Sequence, residues 1–239
     1  PSVGATDTTN LVSNTGVVAS DVTGVGTARY ALAACGYGGD KGLFGFGHDI
    51  SNPPSGVIVS MTNKVSNAGV VASDTTGVGT PRYFLSACEY GGDKGIFGFG
   101  YATTPSSGQT SLTNLVSNTG VVASDQAATT GEARYYGTSC SYGYDKGIFG
   151  FGWGTSSRIS LTNLVSNTGV VSTDVTGVGT ARHDLAATQY GYDKGIFGYG
   201  NDGSVCAITN LVSNTGVVAT DQAAVTGTAR GGLAACSFN

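Results

Sequence analysis

Charge is scarce in this chain: 26 of its 239 residues, or 11%, are Asp, Glu, Lys or Arg. Histidine occurs twice, at His48 and His183, and Trp and Met once each. Two histidines leave little material for acid–base catalysis near neutral pH. No Ser-His-Asp set sits at a nucleophile elbow, no pair of glutamates stands out, and no Cys/His cluster has zinc spacing. The sequence G-x-x-x-x-G-K-[ST] is missing too, which removes a P-loop nucleotide site. A formal net charge of −4 provides no basic patch for nucleic-acid phosphates. No apolar run approaches the ~20 residues of a membrane-spanning helix, and no signal-peptide pattern opens the chain. The sequence therefore predicts a protein that is not an enzyme, holds no cofactor or metal, and neither binds nucleic acid nor inserts into a membrane.

What is abundant is glycine, 40 residues, and repetition. With 40% hydrophobic residues the chain can bury a core despite its low charge. The segment T-N-L-V-S-N recurs five times with small changes, its first Asn at positions 10, 63, 114, 163 and 210. The steps are 53, 51, 49 and 47 residues, a period in the range of propeller blades and arrays.

One unit reads as four short strands. Residues 83–88 (YFLSAC) and 94–100 (KGIFGFG) are separated by a Gly-Gly-Asp turn; 112–118 (LTNLVSN) and 121–125 (VVASD) are separated by Thr-Gly. Runs of this length joined by Gly, Asn and Asp turns carry hairpin signals, and none has a helical period. Small residues occupy both faces of the runs, as in sheets covered on both sides by neighbours. A β-solenoid is the alternative, but its coils are shorter and need polar terminal caps. Here the first unit starts at its third strand and the last stops after its first, 233–236, so both termini contribute to one unit. The expected fold is all-β: a single five-bladed β-propeller of four-stranded blades over residues 1–239, closed by both termini in one blade. The units are 30–82, 83–134, 135–182 and 183–229, with 1–29 plus 230–239 as the closing blade. Nineteen strands are visible where twenty are needed; either residues 1–7 fill the gap or the closing blade has three.

Cys35, Cys88, Cys140 and Cys236 hold one equivalent position, occupied in the remaining unit by Thr188. Equivalent positions on different blades exceed the ~7 Å reach of a disulfide, so these thiols are expected free and buried. Free thiols fit folding in a reducing cytoplasm, whereas the final location favoured is a virion or extracellular surface.

The run R-Y-F-L-S-A-C-E-Y-G-G-D-K-G-I-F-G-F-G, residues 82–100, resembles kelch-type propeller repeats, which also pass from an Arg through a strand and turn to a glycine-ended strand. Kelch blades usually end that strand in Gly-Gly and carry a later Trp; here it ends Phe-Gly-Phe-Gly and no repeated Trp exists. The Ser/Thr/Asn/Gly-rich repeats are also similar to those of phage tail, virion-associated and lectin-type propellers. That likeness implies a recognition or structural module whose partners are glycans, cell-surface receptors or subunits of an assembly.

Of the 26 charges, 18 repeat: an Arg before each first strand, an Asp ending each fourth, and four Asp-Lys turns. They read as structural clamps. Variation gathers instead at the loop after strand two, whose first residue is His48, Tyr101, Trp153 or Asn201, and at the start of strand one, which includes Phe84 and Tyr136. These six positions converge on one rim in an up-and-down blade, and their aromatics suit sugar faces or protein epitopes. An alternative site is the opposite, repeated rim bearing Tyr37, Tyr90, Tyr142 and Tyr190. The two functional expectations are a non-enzymatic glycan- or surface-binding module and a purely structural disc.

Overall fold

The computed structural model describes residues 4–51, 56–127, 131–222 and 227–237. Among them there is no helix; the chain is all-β and built of several small antiparallel sheets. Four three-stranded sheets repeat one plan, with the KGIFG-type strand in the middle. The first contains Ala33–Tyr37, Lys41–Gly45 and Thr62–Val65; the second Ser86–Tyr90, Lys94–Gly98 and Thr113–Val116. The third contains Thr138–Tyr142, Lys146–Trp153 and Arg158–Val165; the fourth Ala186–Tyr190, Lys194–Gly198 and Thr209–Val212.

The fourth run of each unit does not form a regular strand. It meets the third at isolated bridges, such as Val116 with Val122 and Thr113 with Gln126. The physical reason is a side chain standing in the ladder. Asn114 Nδ2 donates to Ala123 O (3.1 Å) and to Asp125 Oδ1 (2.9 Å), so an amide replaces part of the backbone pairing. The same insertion is made by Asn63, Asn163 and Asn210.

That asparagine also anchors the repeated arginine. Arg134 Nη2 donates to Asn163 Oδ1 at 2.6 Å and Arg182 to Asn210 at 2.6 Å; Arg82 makes the same bond to Asn114. The aspartates lie 3.7–4.0 Å from the guanidinium groups. Arg29, Arg82, Arg134 and Arg182 therefore each pair with an Asp one unit further along the chain, through an Asn between them. Burial lowers the arginine pKa to about 10 in Arg82 and Arg134, although a facing carboxylate opposes the shift. Three of these guanidinium groups also cover an aromatic ring from earlier in the chain: Arg82 on Phe46, Arg134 on Phe99 and Arg182 on Phe151, at 4.8, 3.8 and 4.3 Å.

Between sheets, a phenylalanine fills the space that a glycine vacates. A Cβ on Gly45, Gly98 or Gly150 would stand 2.7, 2.8 or 2.9 Å from the ring of Phe97, Phe149 or Phe197 of the next unit. Only glycine admits so close a ring, and those three rings are at most 1% exposed. Cys35, Cys88 and Cys140 use the same device, each packing its Sγ where a Cβ on Gly95, Gly147 or Gly195 would be. Burial pushes the Cys35 and Cys140 thiols up to about 12.

All five cysteines are free. Cys236 corrects the expectation of burial, because it is exposed. Its first-strand position is kept, but among the described residues no strand pairs with it. Residues 233–235 line a cavity of about 400 Å³ together with Ala33, Ala87, Thr138, Ala187 and their neighbours, one stretch from each of the five units.

At the other terminus, Thr9 bridges Val22 and Val12 bridges Val18, the third-and-fourth-run hairpin of its unit. Thr6 bridges Arg29 as Thr110 bridges Arg134, so residues 4–7 hold their own repeat position and do not supply a middle strand. Residues 1–3 lie outside those described.

Candidate functional site at the channel mouth

In every unit the second residue after the arginine takes a left-handed backbone. The φ angles are +54° at Ala31, +52° at Phe84, +56° at Tyr136, +55° at Asp184 and +66° at Gly232. For the four non-glycine residues this costs on the order of 1–2 kcal/mol each. The bend is held by a chain of bonds: Phe84 N donates to Ala31 O, Tyr136 N to Phe84 O, Asp184 N to Tyr136 O and Gly232 N to Asp184 O, at 2.9–3.1 Å. These five residues line one end of the shared channel, a space of about 350 Å³ floored by Leu32, Leu85, Leu185 and Leu233.

Outside that mouth lies a continuous run of rings. The residue after each arginine pairs with the first residue of the loop after strand two: Tyr30 with His48, Tyr83 with Tyr101, Tyr135 with Trp153 and His183 with Asn201. Trp153 touches His183 (5.3 Å between centroids), His183 touches Tyr136 (5.8 Å), and Tyr136 packs on Phe84 at 4.0 Å. Phe84 continues to Tyr83 and Tyr30, and Tyr30 to His48; Tyr101 closes on Tyr83 and Tyr135. Most of these rings are half-buried and Tyr30 is exposed. The arc thus keeps aromatic surface in water while locking each ring against the next.

Polar groups punctuate the arc. His48 Nδ1 and Tyr30 Oη are 2.6 Å apart, and Tyr101 Oη lies 3.1 Å from Ser107 Oγ. The Arg158 guanidinium stands 5.2 Å over the Trp153 ring. Asp184 faces the channel 3.5 Å from His183 Nε2; burial raises its carboxyl above the ordinary range, against the pull of His183. Burial, then the Asp184 carboxylate and the neighbouring phenols, push Tyr136 up to about 12, so at neutral pH it offers an O–H. This is a surface for stacking and hydrogen bonding. Among the described residues no group of His, Cys, Asp and Glu is arranged to hold a metal ion.

Of the six rim residues expected from sequence, Trp153, Tyr101, His48, Tyr136 and Phe84 fall in this arc, and Asn201 ends it beside His183. Sequence reasoning did not select Tyr30, Tyr83, Tyr135 and His183 as site residues. Their shared place directly after each arginine was the available signal. The alternative tyrosines lie elsewhere. Tyr37, Tyr90 and Tyr142 are 3–5% exposed, their rings packed where a Cβ on Gly120, Gly169 or Gly216 of the next unit would be. They fill contacts between sheets and present no open face. Tyr190 is half-buried.

No protein-family model matches the chain, and no curated protein sequence matches it.

Proposed function

We propose that the chain is a single five-bladed, kelch-like β-propeller that recognises a ligand without catalysing a reaction. The ligand is a glycan or cell-surface receptor, and the setting a phage tail, virion or adhesive assembly. Support for five blades comes from cavities lined by one equivalent stretch of each unit and from inter-unit bonds of one repeated pattern.

The observation that carries the recognition reading is the aromatic arc at the channel mouth. It gathers residues that differ from unit to unit, whereas the arginine clamps beneath it repeat. Half-buried rings beside Asp, His and Ser groups suit the apolar faces and hydroxyl edges of sugars. A glycan array on the chain tests this directly. Hits that Trp153→Ala and Tyr101→Ala weaken by about 1–3 kcal/mol, with folding intact, support it. An array without hits counts against glycan recognition.

A scaffold disc is the second reading, and one observation favours it. Val17, Val70, Val121, Val170 and Val217, equivalent residues in the hairpins, are 60–65% exposed. Five evenly repeated apolar positions form a perimeter that other subunits can grip. Substituting the five by Ser abolishes assembly on this reading and leaves glycan binding untouched on the other.

A further inference from the structure

The left-handed bend after each arginine is strained for any residue with a Cβ, and Gly232 shows that glycine can occupy it. Ala31, Phe84, Tyr136 and Asp184 nevertheless carry side chains there, and the four differ in chemistry. What they share is a place. With Gly232 they line the space of about 350 Å³ above Leu32, Leu85, Leu185 and Leu233. That volume lies within the roughly 300–1,000 Å³ of small-molecule pockets.

Three features of this space select a ligand. The first is charge. Asp184 is the one charged side chain in the lining, and among the described residues no hydrogen bond reaches its carboxylate. Its nearest cationic group is His183 Nε2 at 3.5 Å, and burial raises its carboxyl above the usual range. A poorly hydrated negative charge favours a cation beside it. The second is aromatic surface. Phe84 and Tyr136, 4.0 Å apart between centroids, stand in the same lining. Neither carries a cation of the chain, because the guanidinium groups lie over Phe46, Phe99, Trp153, Phe151 and Tyr199. The third is a shortage of acceptors. The carbonyls of Ala31, Phe84, Tyr136 and Asp184 already accept from the amide of the next bend. A primary ammonium brings three N–H groups and would leave some of them unpaired there, whereas a fully methylated one brings none.

We propose that the channel mouth is a binding site for a quaternary ammonium group, a trimethylammonium head of the choline kind. Its charge sits against the Asp184 carboxylate, and its methyl groups meet the Phe84 and Tyr136 rings above the leucine floor. Aromatic rings attract such a cation through their negative faces and ask for no hydrogen bond in return. The arc of rings outside the mouth then contacts whatever the head group is attached to. The inference rests on the five-unit reading, which supplies the mouth, and is independent of whether that attachment is a glycan.

The test titrates the full chain with choline, with its neutral tert-butyl isostere, in which carbon replaces nitrogen, and with ethanolamine. Choline binds once per chain and its methyl proton resonance moves upfield in the ring currents. The other two bind at least about tenfold more weakly. Asp184→Asn keeps the shape of the side chain at a bend that Asn tolerates, and it weakens choline at least about tenfold with melting unchanged. Tyr136→Gly copies Gly232, removes a ring without adding strain, and weakens choline by a similar factor. Absence of choline binding, equal binding of the isostere or of ethanolamine, or full binding by Asp184→Asn overturns the proposal. Flotation with phosphatidylcholine vesicles tells a lipid-borne head group from a soluble one; binding of either kind upholds the site. Small-angle scattering separates this inference from the arrangement it rests on. A radius of gyration near 18 Å, about that of a compact chain of this length, without choline binding removes the cation site alone. A much larger radius removes the five-unit arrangement and the mouth with it.

Discussion

The second complete unit and the split unit carry nearly the same residues and bury them differently. Arg82, Asn114 and Asp125 form a clamp whose Arg and Asn are fully buried. In the split unit Asn10 still donates to Asp21 (2.8 Å) and Ala19 O, so the hairpin forms by itself. Arg230 does not reach it: this arginine is exposed, stands over Tyr199 at 4.2 Å, and makes no ion pair among the described residues. The difference teaches that the Asn–Asp half of the clamp is local, whereas the arginine half depends on a complete three-stranded sheet beneath it.

The sharpest way to break this comparison is to remove the arginine from each. Arg82→Ala leaves Asn114 Oδ1 and Asp125 facing a hole and strips the cover from Phe46. It is expected to cost about 3–5 kcal/mol in chemical denaturation. Arg230→Ala is expected to cost within ~0.5 kcal/mol, as at an ordinary surface position. Equal losses would mean that Arg230 enters a clamp in solution and that the split unit is closed.

A smaller contrast concerns the glycine hollows. A Cβ on Gly98 meets the Phe149 ring and backbone cannot yield easily, so Gly98→Ala is expected to cost about 1–3 kcal/mol by overpacking. Gly198→Ala meets only a methyl group at 3.5 Å, ordinary contact, and is expected to lie within ~0.5 kcal/mol of the parent. Thermal melts of the two variants decide it.

These contrasts mark what the sequence made legible. The period, the first three strand runs of the complete units and the structural role of most of the repeated charges followed from repetition alone, because a clamp must recur wherever its loop recurs; the fourth run, expected as a strand, meets its neighbour only at isolated bridges. The Asn of T-N-L-V-S-N was read only as a strand residue; that it stands inside the ladder and carries the arginine needs three dimensions. Cys236 was placed with its equivalents correctly by position and wrongly by burial. Burial belongs to neighbours, and among the described residues no strand pairs with its edge. Tyr37, Tyr90 and Tyr142 lie beside exposed Asp-Lys turns in sequence, yet each ring turns into the next unit against a glycine that only the tertiary arrangement supplies. The variable rim was legible as a set of positions. Its continuity, ring touching ring across four units, follows from the left-handed bend after each arginine, and a bend at a non-glycine residue leaves no trace in composition.

The mildest expected effect is on pH dependence, and two kinds of carboxylate oppose each other in it. Burial alone would raise Asp125, but bonds from Thr80 and Asn114 and the Arg82 charge outweigh it and hold the carboxyl below its usual value. The same balance lowers Asp74, with Thr27, Asn63 and Arg29, and Asp221, with Thr180, Asn210 and Arg182. A group whose pKa is lower folded than unfolded adds stability above the unfolded value, and that stability is lost as pH falls through the folded one. Melting temperature should therefore decline below about pH 4, where these aspartates begin to take up protons. Glu89 acts in the other direction. It lines a cavity with Cys35, Cys88 and Cys140, and desolvation raises its pKa against a bond from Gly36 N. A raised carboxyl favours the folded state only once protonated, so acidification through its range recovers stability and blunts the decline. Glu89→Gln removes that recovery. The variant should melt slightly higher than the parent at pH 7 and lose stability more steeply on acidification. Parallel melting curves from pH 7 to pH 3 would show that Glu89 is as well hydrated in the channel as in the unfolded chain.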